Sequence, residues 1–193
     1  MPINIYTVKH PLVLNWTNHL IHRTNHHNDH QELIGKISLA LIYEVCRNTM
    51  ENQTLYIKYI YQIHKIWLIT NQNISLFCSD LQILQAISKD IYALVPSITI
   101  YPLIAEEKDH TWQITIMHKS WSRPGSLNNI IILENKLKTN KIHAIIKHIH
   151  NTKKANPKIH ICCNQCNTTE LDNLGQRYSK LNIYTGYIED SVR

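Results

Sequence analysis

The chain has 193 residues, of which 44% are hydrophobic and 18% are charged, and its formal net charge is +6. This length suits one domain spanning residues 1–193 with a sizeable core, and the composition excludes an intrinsically disordered protein. No apolar run reaches the roughly 18 residues of a transmembrane helix, so no membrane span is expected.

The first part of the chain predicts one strand and two helices. Residues 3–8 alternate apolar and polar side chains as a short strand does, and residues 15–22 predict a helix. Residues 24–30 are rich in histidine, and we interpret them as a solvated loop because nothing there fixes metal ligands on a rigid element. Asp29 and Glu32 then form a capping-box-like helix start. The apolar residues that recur every four positions after it are Leu33, Ile37, Leu41 and Val45.

The middle of the chain predicts several strands. Residues 54–69 lack a helical period and predict two strands that meet near residues 62–64. Residues 74–78 predict a core strand, and residues 80–94 predict one amphipathic helix. Strands are predicted again at 98–104 and 111–117, and residues 122–126 carry the clearest turn signal.

The last part predicts a strand, loop and helix unit. The apolar run at residues 130–133 predicts a buried strand that ends at Glu134, and residues 142–149 continue as an amphipathic helix. A strand at 159–163, a helix at 168–181 capped by Thr168 or Thr169, and a strand at 182–185 follow. This alternation predicts an α/β fold with a mostly parallel sheet. In such folds the crevice between a strand's carboxyl end and a helix N-terminus binds anionic ligands.

The five cysteines are an odd number, which favours reduced thiols. Cys163 and Cys166 form a single C-x-x-C, which is half of a zinc site, and no second pair follows. We interpret them as thiols that pack at a strand end, and metal binding by this pair stays an open alternative. No metal site is predicted.

Several motifs resemble the uracil phosphoribosyltransferase family. The loop Glu-Asn-Lys-Leu-Lys-Thr-Asn-Lys at 134–141 is similar to the family's phosphoribosyl-diphosphate loop, Asp-Pro-Met-Leu-Ala-Thr-Gly-Gly. Residues 10–13 resemble its His-Pro-Leu-Val, residues 42–48 its Ala-Tyr-Glu-Ala-Thr-Arg-Asp, and residues 94–96 its Leu-Val-Pro. The resemblance implies a type I phosphoribosyltransferase-like fold with an N-terminal helical segment. It also implies a homodimer in which a β-arm at 111–117 wraps around the second subunit. A plain hairpin within one chain is the alternative for this segment.

The resemblance assigns two vestigial ligand loops. The phosphoribosyl-diphosphate loop is Glu134, Asn135, Lys136, Leu137, Lys138, Thr139, Asn140 and Lys141. The pyrophosphate loop is Ser79, Asp80, Leu81, Gln82, Ile83 and Leu84. The family's glycines are replaced in both loops, and glycine gives backbone amides the room to approach a phosphate.

Two further departures from the family affect its ligand sites. The family's Tyr-Arg after the strand at 98–104 is replaced by Glu106 and Glu107, which would repel phosphate. The sequence ends at Arg193, before the family's base-gripping loop, of which residues 186–188 are the vestige. The chain therefore resembles a degenerate, C-terminally shortened member.

These changes favour a homologue that has lost catalysis and acts as a binding or assembly protein. One alternative is a weak or altered uracil phosphoribosyltransferase that makes UMP in pyrimidine salvage. In this alternative Glu134 binds the ribose, and the phosphate is bound by Lys136, Lys138 and Lys141. No catalytic residue is assigned. No cofactor is expected, except Mg²⁺ if phosphoribosyl diphosphate still binds.

A second alternative is an RNA-binding regulator, because seven lysines lie between residues 136 and 158. No aromatic residue is interleaved among them, so a solvated basic face is favoured and nucleic acid is not expected as a partner. A protein partner of unknown identity remains an expectation. The heavy use of Ile, Asn and Lys is typical of AT-rich organelle genomes and predicts the plastid stroma, with the cytoplasm as the alternative.

Overall fold

The computed structural model describes residues 3–22, 27–69, 73–108, 111–117, 128–152 and 157–190. The turn predicted at 122–126 lies outside these ranges, as do residues 24–26 of the histidine-rich segment. No helix in the described ranges is long and apolar enough to cross a membrane.

Nine strands and six helices follow one another in the described ranges. The strands are β1 (Asn4–Thr7), β2 (Asn52–Lys58), β3 (Ile63–Ile69), β4 (Ile74–Cys78), β5 (Ile98–Lys108), β6 (Thr111–Ile116), β7 (Asn129–Lys136), β8 (Lys158–Asn167) and β9 (Asn182–Glu189). The helices are α1 (Pro11–His22), α2 (His27–Thr49), α3 (Leu81–Ile87), α4 (Ile91–Leu94), α5 (Thr139–Thr152) and α6 (Thr168–Arg177).

Seven strands form one twisted layer in the order β1-β9-β8-β7-β4-β5-β6. All neighbours in this sheet are parallel except β6, which pairs antiparallel with β5. The predicted α/β class with a mostly parallel sheet is thus confirmed. The remaining strands, β2 and β3, pair only with each other as a separate antiparallel hairpin in the described part of the chain.

Two apolar layers make up the core, one on each face of the sheet. Helices α1 to α4 contribute to the first layer, which receives Ile131 and Leu133 of β7. Helices α5 and α6 contribute to the second, which receives Ile130 and Ile132. Because β7 is covered on both faces, its sequence is a continuous apolar run and not an alternation.

Several predicted boundaries are wrong. The strand predicted to end at Glu134 continues to Lys136, and the helix predicted at 168–181 ends at Arg177 and has Asn167 as its N-cap. Two other differences are larger. The helix predicted over 80–94 is interrupted: α3 ends at Ile87, and the Asp90 amide donates to the Ile87 carbonyl at 3.1 Å, which tightens the chain before α4. This turn brings Ile87, Ile91 and Val95 together into the core. The histidine-rich loop prediction also fails from His27 onward, because α2 begins there. No glycine or proline lies between His27 and Glu32 to stop the helix from extending.

The segment predicted as an arm at 111–117 forms β6 and folds back along β5. Leu103 lies opposite Ile116 and Glu107 lies opposite Trp112 in this pair. The hairpin alternative accounts for its hydrogen bonding, and an embrace of a second subunit by this segment stays a prediction.

Candidate functional site

The two predicted ligand loops meet at one edge of the sheet. Because β4 and β7 are parallel neighbours, the loops that follow them emerge side by side. They line a cleft of about 550 Å³, to which the first loop contributes residues 79–82. The second loop contributes Glu134, Asn135, Lys136, Lys138 and Lys141. The sequence therefore identified most of the cleft but missed Trp112 of β6, which lines it as well.

The other predicted loop residues do not line this cleft. Ile83, Leu137 and Thr139 are buried in the protein, and Leu84 packs against the core. Asn140 accepts a hydrogen bond from Arg177 at 3.2 Å. These residues support the local fold and do not face this cleft.

The Glu134 carboxylate at the end of β7 is buried and fully engaged within the chain. Ser79 donates its hydroxyl to Oε1 at 2.8 Å, and Lys141 donates its ammonium to Oε2 at 2.7 Å. Burial raises the pKa of Glu134, while Lys141 and Ser79 oppose this rise by stabilising the charged form. The acid that the family resemblance assigns to ribose binding is thus held by a lysine and a serine.

Two backbone amides of the second loop are also engaged. Leu137 donates its N–H to the Gln165 carbonyl at 3.1 Å. Thr139, the first residue of α5, donates its N–H to the Glu170 carboxylate at 2.6 Å and its hydroxyl to the Glu170 carbonyl at 2.8 Å. The N-terminus of a helix favours a negative group, and a carboxylate from α6 occupies this position.

Glu170 is a site residue that sequence reasoning missed. It lies three residues after Asn167, whose side chain accepts the Thr169 amide and caps α6. This spacing is that of a capping box, in which the acid accepts a backbone amide at the start of its own helix. In the structure Glu170 instead accepts the Thr139 amide at the start of α5, 31 residues earlier in sequence.

The first loop forms a helix start. The Asp80 carboxylate accepts the amides of Gln82 at 2.9 Å and Ile83 at 3.3 Å, which makes it the N-cap of α3. These two amides therefore point at Asp80 and are not directed at the cleft. No amide-lined cradle for a diphosphate forms at these two positions.

Cys163 and Cys166 are free thiols buried in the core layer against α5 and α6. Cys166 contacts the Thr185 hydroxyl at 3.5 Å, and Cys163 contacts the Tyr184 carbonyl at 3.8 Å. The neighbouring Cys166 and then burial raise the pKa of Cys163 well above its usual range. Among the described residues no group of histidine, cysteine or acidic side chains is arranged to hold a metal ion. Both thiols belong to β8, and Cys163 lies inside this strand and not at its end.

No protein-family model matches the sequence. A search of curated proteins likewise finds no matching sequence. Solved structures do match. The mostly parallel sheet with helices on both faces defines an α/β fold class.

The AQ2163 protein from Aquifex aeolicus has a TM-score of 0.72 at 13% identity, over 98% of this chain and 89% of that protein. A purine phosphoribosyltransferase from Pyrococcus horikoshii Ot3 has a TM-score of 0.43 at 10% identity, over 81% of this chain and 87% of its own. Hypoxanthine phosphoribosyltransferase from Trypanosoma cruzi, complexed with IMP, has a TM-score of 0.42 at 8% identity, over 85% of this chain and 76% of its own. The likeness to the AQ2163 protein concerns the fold alone, and both the kinship with phosphoribosyltransferases and the uracil specificity stay predictions.

Proposed function

We propose that this protein is a phosphoribosyltransferase homologue that has lost catalysis and acts as a binding or assembly protein. One observation carries the proposal: the Glu134 carboxylate and the first amide of α5 are already engaged by groups of the same chain. Transfer from phosphoribosyl diphosphate requires preorganised donors for the pyrophosphate and a carboxylate for the ribose hydroxyls. Here Lys141 and Ser79 hold the carboxylate, and Glu170 holds the first amide of α5.

The internal contacts oppose ligand binding energetically. A diphosphate at the start of α5 would have to displace the Glu170 carboxylate, and a ribose would have to displace Lys141 or Ser79 from Glu134. Hydrogen bonds to charged groups contribute about 1.5 to 3 kcal/mol each. Breaking two of them lowers affinity by about two to four powers of ten.

A transferase assay with uracil, phosphoribosyl diphosphate and Mg²⁺ tests the loss of catalysis. We expect no UMP from the wild-type protein, and UMP formation would overturn the proposal. Glu170→Gln is the matched variant, because it keeps the shape of the side chain and removes its charge. A gain of phosphoribosyl-diphosphate binding in this variant would identify Glu170 as the group that excludes the ligand.

The hairpin of β2 and β3 supports the assembly part of the proposal. Both of its faces expose apolar side chains, and a lone two-stranded hairpin is at best marginally stable in water. Its exposed large hydrophobic residues are Leu55, Tyr56, Tyr59, Ile60, Tyr61, Ile63, Ile66, Trp67, Leu68 and Ile69. Exposed apolar residues in this number favour an interaction site.

A homodimer is the assembly we propose. The same chain exposes Leu12 and Leu14 on α1 and Tyr43 on α2, which offer an apolar surface for a second copy's hairpin. A twofold axis lets each hairpin cover its partner in the same way. A different protein partner is the alternative, and a monomeric wild-type chain in solution would favour it.

A weak transferase remains the second candidate function. Lys136 and Lys138 line the cleft, are exposed, and form no ion pair within the described ranges, so both ammonium groups can meet a phosphate. Isothermal titration with phosphoribosyl diphosphate and Mg²⁺ separates the two functions. Micromolar binding that disappears in Glu134→Gln would favour the transferase, and the absence of heat would reject it.

We also propose that the protein is located in the plastid stroma. The plastid stroma rests on the Ile, Asn and Lys usage of the sequence. Fractionation of cells that contain the protein, with detection by a specific antibody, would test this location.

A further inference from the structure

A second cleft lies beside the first and shares Trp112 with it. This cleft has a volume of about 430 Å³ and lies between β6 and α5. Asn140, His143, Lys147, His148 and Asn151 line it from α5. Trp112 lines both clefts, so its ring stands where the two clefts meet.

Two lysine ammonium groups lie close to this ring. Lys138 Nζ is 5.8 Å from the ring centroid and Lys141 Nζ is 5.7 Å from it. Trp112 lies outside the lysine-rich stretch at 136–158, which contains no aromatic residue of its own. The fold supplies the partner by placing β6 against α5.

The charges along the two clefts favour an anionic ligand. None of the described residues that line the second cleft is acidic, and Lys147 on its wall is exposed and forms no ion pair within the described ranges. In the first cleft Glu134 is neutralised by Lys141, whereas Asp80 is engaged as a helix cap. Lys136 and Lys138 complete the basic wall there.

The length of this surface favours a polymer. The α5 segment from Asn140 to Asn151 alone rises about 16 Å, and the first cleft extends the surface beyond it. A single nucleotide would fill one cleft and leave the other empty. Single-stranded nucleic acid presents repeated phosphates and bases, and its recognition combines a basic groove with aromatic rings for stacking.

We propose that Lys136, Lys138, Trp112, His143 and Lys147 form a binding track for single-stranded nucleic acid. A base stacks on Trp112, and the lysines hold the backbone phosphates on both sides. Glu107 lies opposite Trp112 in the β5–β6 pair, so its charge limits the affinity at that end of the track. This inference goes beyond the proposed function and requires neither transferase activity nor its loss.

The test is fluorescence anisotropy with a fluorescein-labelled oligouridylate of about 12 nucleotides, at low salt and then at increasing salt. We expect Trp112→Ala to weaken binding about tenfold, because stacking contributes about 1 to 3 kcal/mol per base. Trp112→Phe keeps an aromatic face and should retain most of the affinity. Lys147→Gln should lower the slope of log affinity against log salt by about 0.7, the value for one phosphate contact to a single strand.

Tyr92 of α4 provides the control. It is an exposed aromatic residue that lines neither cleft and lies outside the β2–β3 hairpin. Tyr92→Ala should leave the affinity unchanged.

Each of the following results would overturn the proposal: no binding at low salt, equal binding of a duplex of the same length, full competition by UMP at equal nucleotide concentration, or loss of binding in Tyr92→Ala but not in Trp112→Ala. Trp112→Ala and Trp112→Phe are first compared with wild type by denaturant unfolding. If both variants are folded and both lose binding, a stacking role for Trp112 would also be contradicted.

Discussion

His160 is a buried histidine whose two ring nitrogens have no hydrogen-bond partner among the described residues. Burial, with the nearby Lys158 charge, lowers the pKa of His160 from 6.5 to about 4. Between these two values the unfolded chain binds a proton that the folded protein does not. The folded state is therefore fully stable above about pH 6.5 and loses stability as the pH falls toward 4, by up to about 3 kcal/mol.

Urea unfolding near pH 5 and near pH 7.5 measures this loss. His160→Phe has similar volume and removes the titrating group, so its stability should fall less over the same interval. Lys158→Gln is a useful companion, because it removes the second cause of the shift and should reduce the pH dependence only slightly. Equal pH dependence in wild type and His160→Phe would show that other groups are responsible.

The Lys141–Glu134 pair predicts a second effect at the scale of single residues. Lys141→Met leaves a buried carboxylate with only Ser79 as a partner, which should destabilise the protein by about 3 to 5 kcal/mol. In Lys141→Met the pKa of Glu134 should rise further, because the cation that opposes the effect of burial is gone. Glu134→Gln combined with Lys141→Met should recover much of the loss. Denaturant unfolding of the two single variants and the double variant measures the coupling, and additive losses would contradict it.

The sequence identified part of this site and could not identify the rest. Glu134 and Lys141 belong to one short loop whose order resembles a known motif, so both were predicted. Glu170 and Trp112 come from other elements, and only the packing of α6 and β6 against α5 brings them to the loop. Neither residue has a local sequence pattern that points to this loop.

At the scale of elements, the close contact of α2 with α3 depends on Gly35. A Cβ at this position would lie 2.9 Å from the Ala86 Cβ. Overpacking of this kind costs about 1 to 3 kcal/mol, which exceeds the gain of about 1 kcal/mol from placing alanine in a helix. We therefore expect Gly35→Ala to be net destabilising by about 1 kcal/mol.

Ala86→Gly provides the control for this prediction, since it removes the atom that Gly35→Ala would meet. In that background Gly35→Ala should become stabilising, because only the helix propensity remains. Thermal or urea unfolding of the four proteins would measure this change of sign. The same loss in both backgrounds would show that the α2–α3 contact is not the cause.

Hydrophobic periodicity predicted the buried elements well. It failed where tertiary contacts, and not the local pattern, determine where a helix ends. The continuous apolar run in β7 and the repeat in α2 were sufficient to place both elements. The repeat at 80–94 suggested one helix, because Leu81, Ile87 and Ile91 fit one face. In the structure Leu81 is exposed, and Ile83, Ile87 and Ile91 are buried. Their spacing of four also fits one uninterrupted helix, so the apolar repeat could not reveal the turn between α3 and α4.

At the scale of the whole molecule, we predict that the β2–β3 hairpin decides the oligomeric state. Leu55 and Tyr56 lie on opposite faces of the hairpin, and 46% and 63% of their surfaces are exposed. Changing either residue to Asp therefore costs little in an isolated chain. In a dimer that covers the hairpin, the same change would bury an unpaired carboxylate.

We expect the wild-type protein to have a mass of twice the 22.7 kDa chain. Leu55→Asp combined with Tyr56→Asp should halve it, as measured by light scattering on a sizing column. Leu81→Asp is the matched control, because Leu81 is 60% exposed on α3 and lies outside the hairpin. Amide exchange distinguishes a partner surface from a free hairpin: protection of 52–69 should decrease on dilution in the wild type and be absent at any concentration in the double variant. A monomer with fast exchange in the wild-type hairpin would exclude a homodimer through β2 and β3. It would leave a different protein as the molecule that covers this apolar surface.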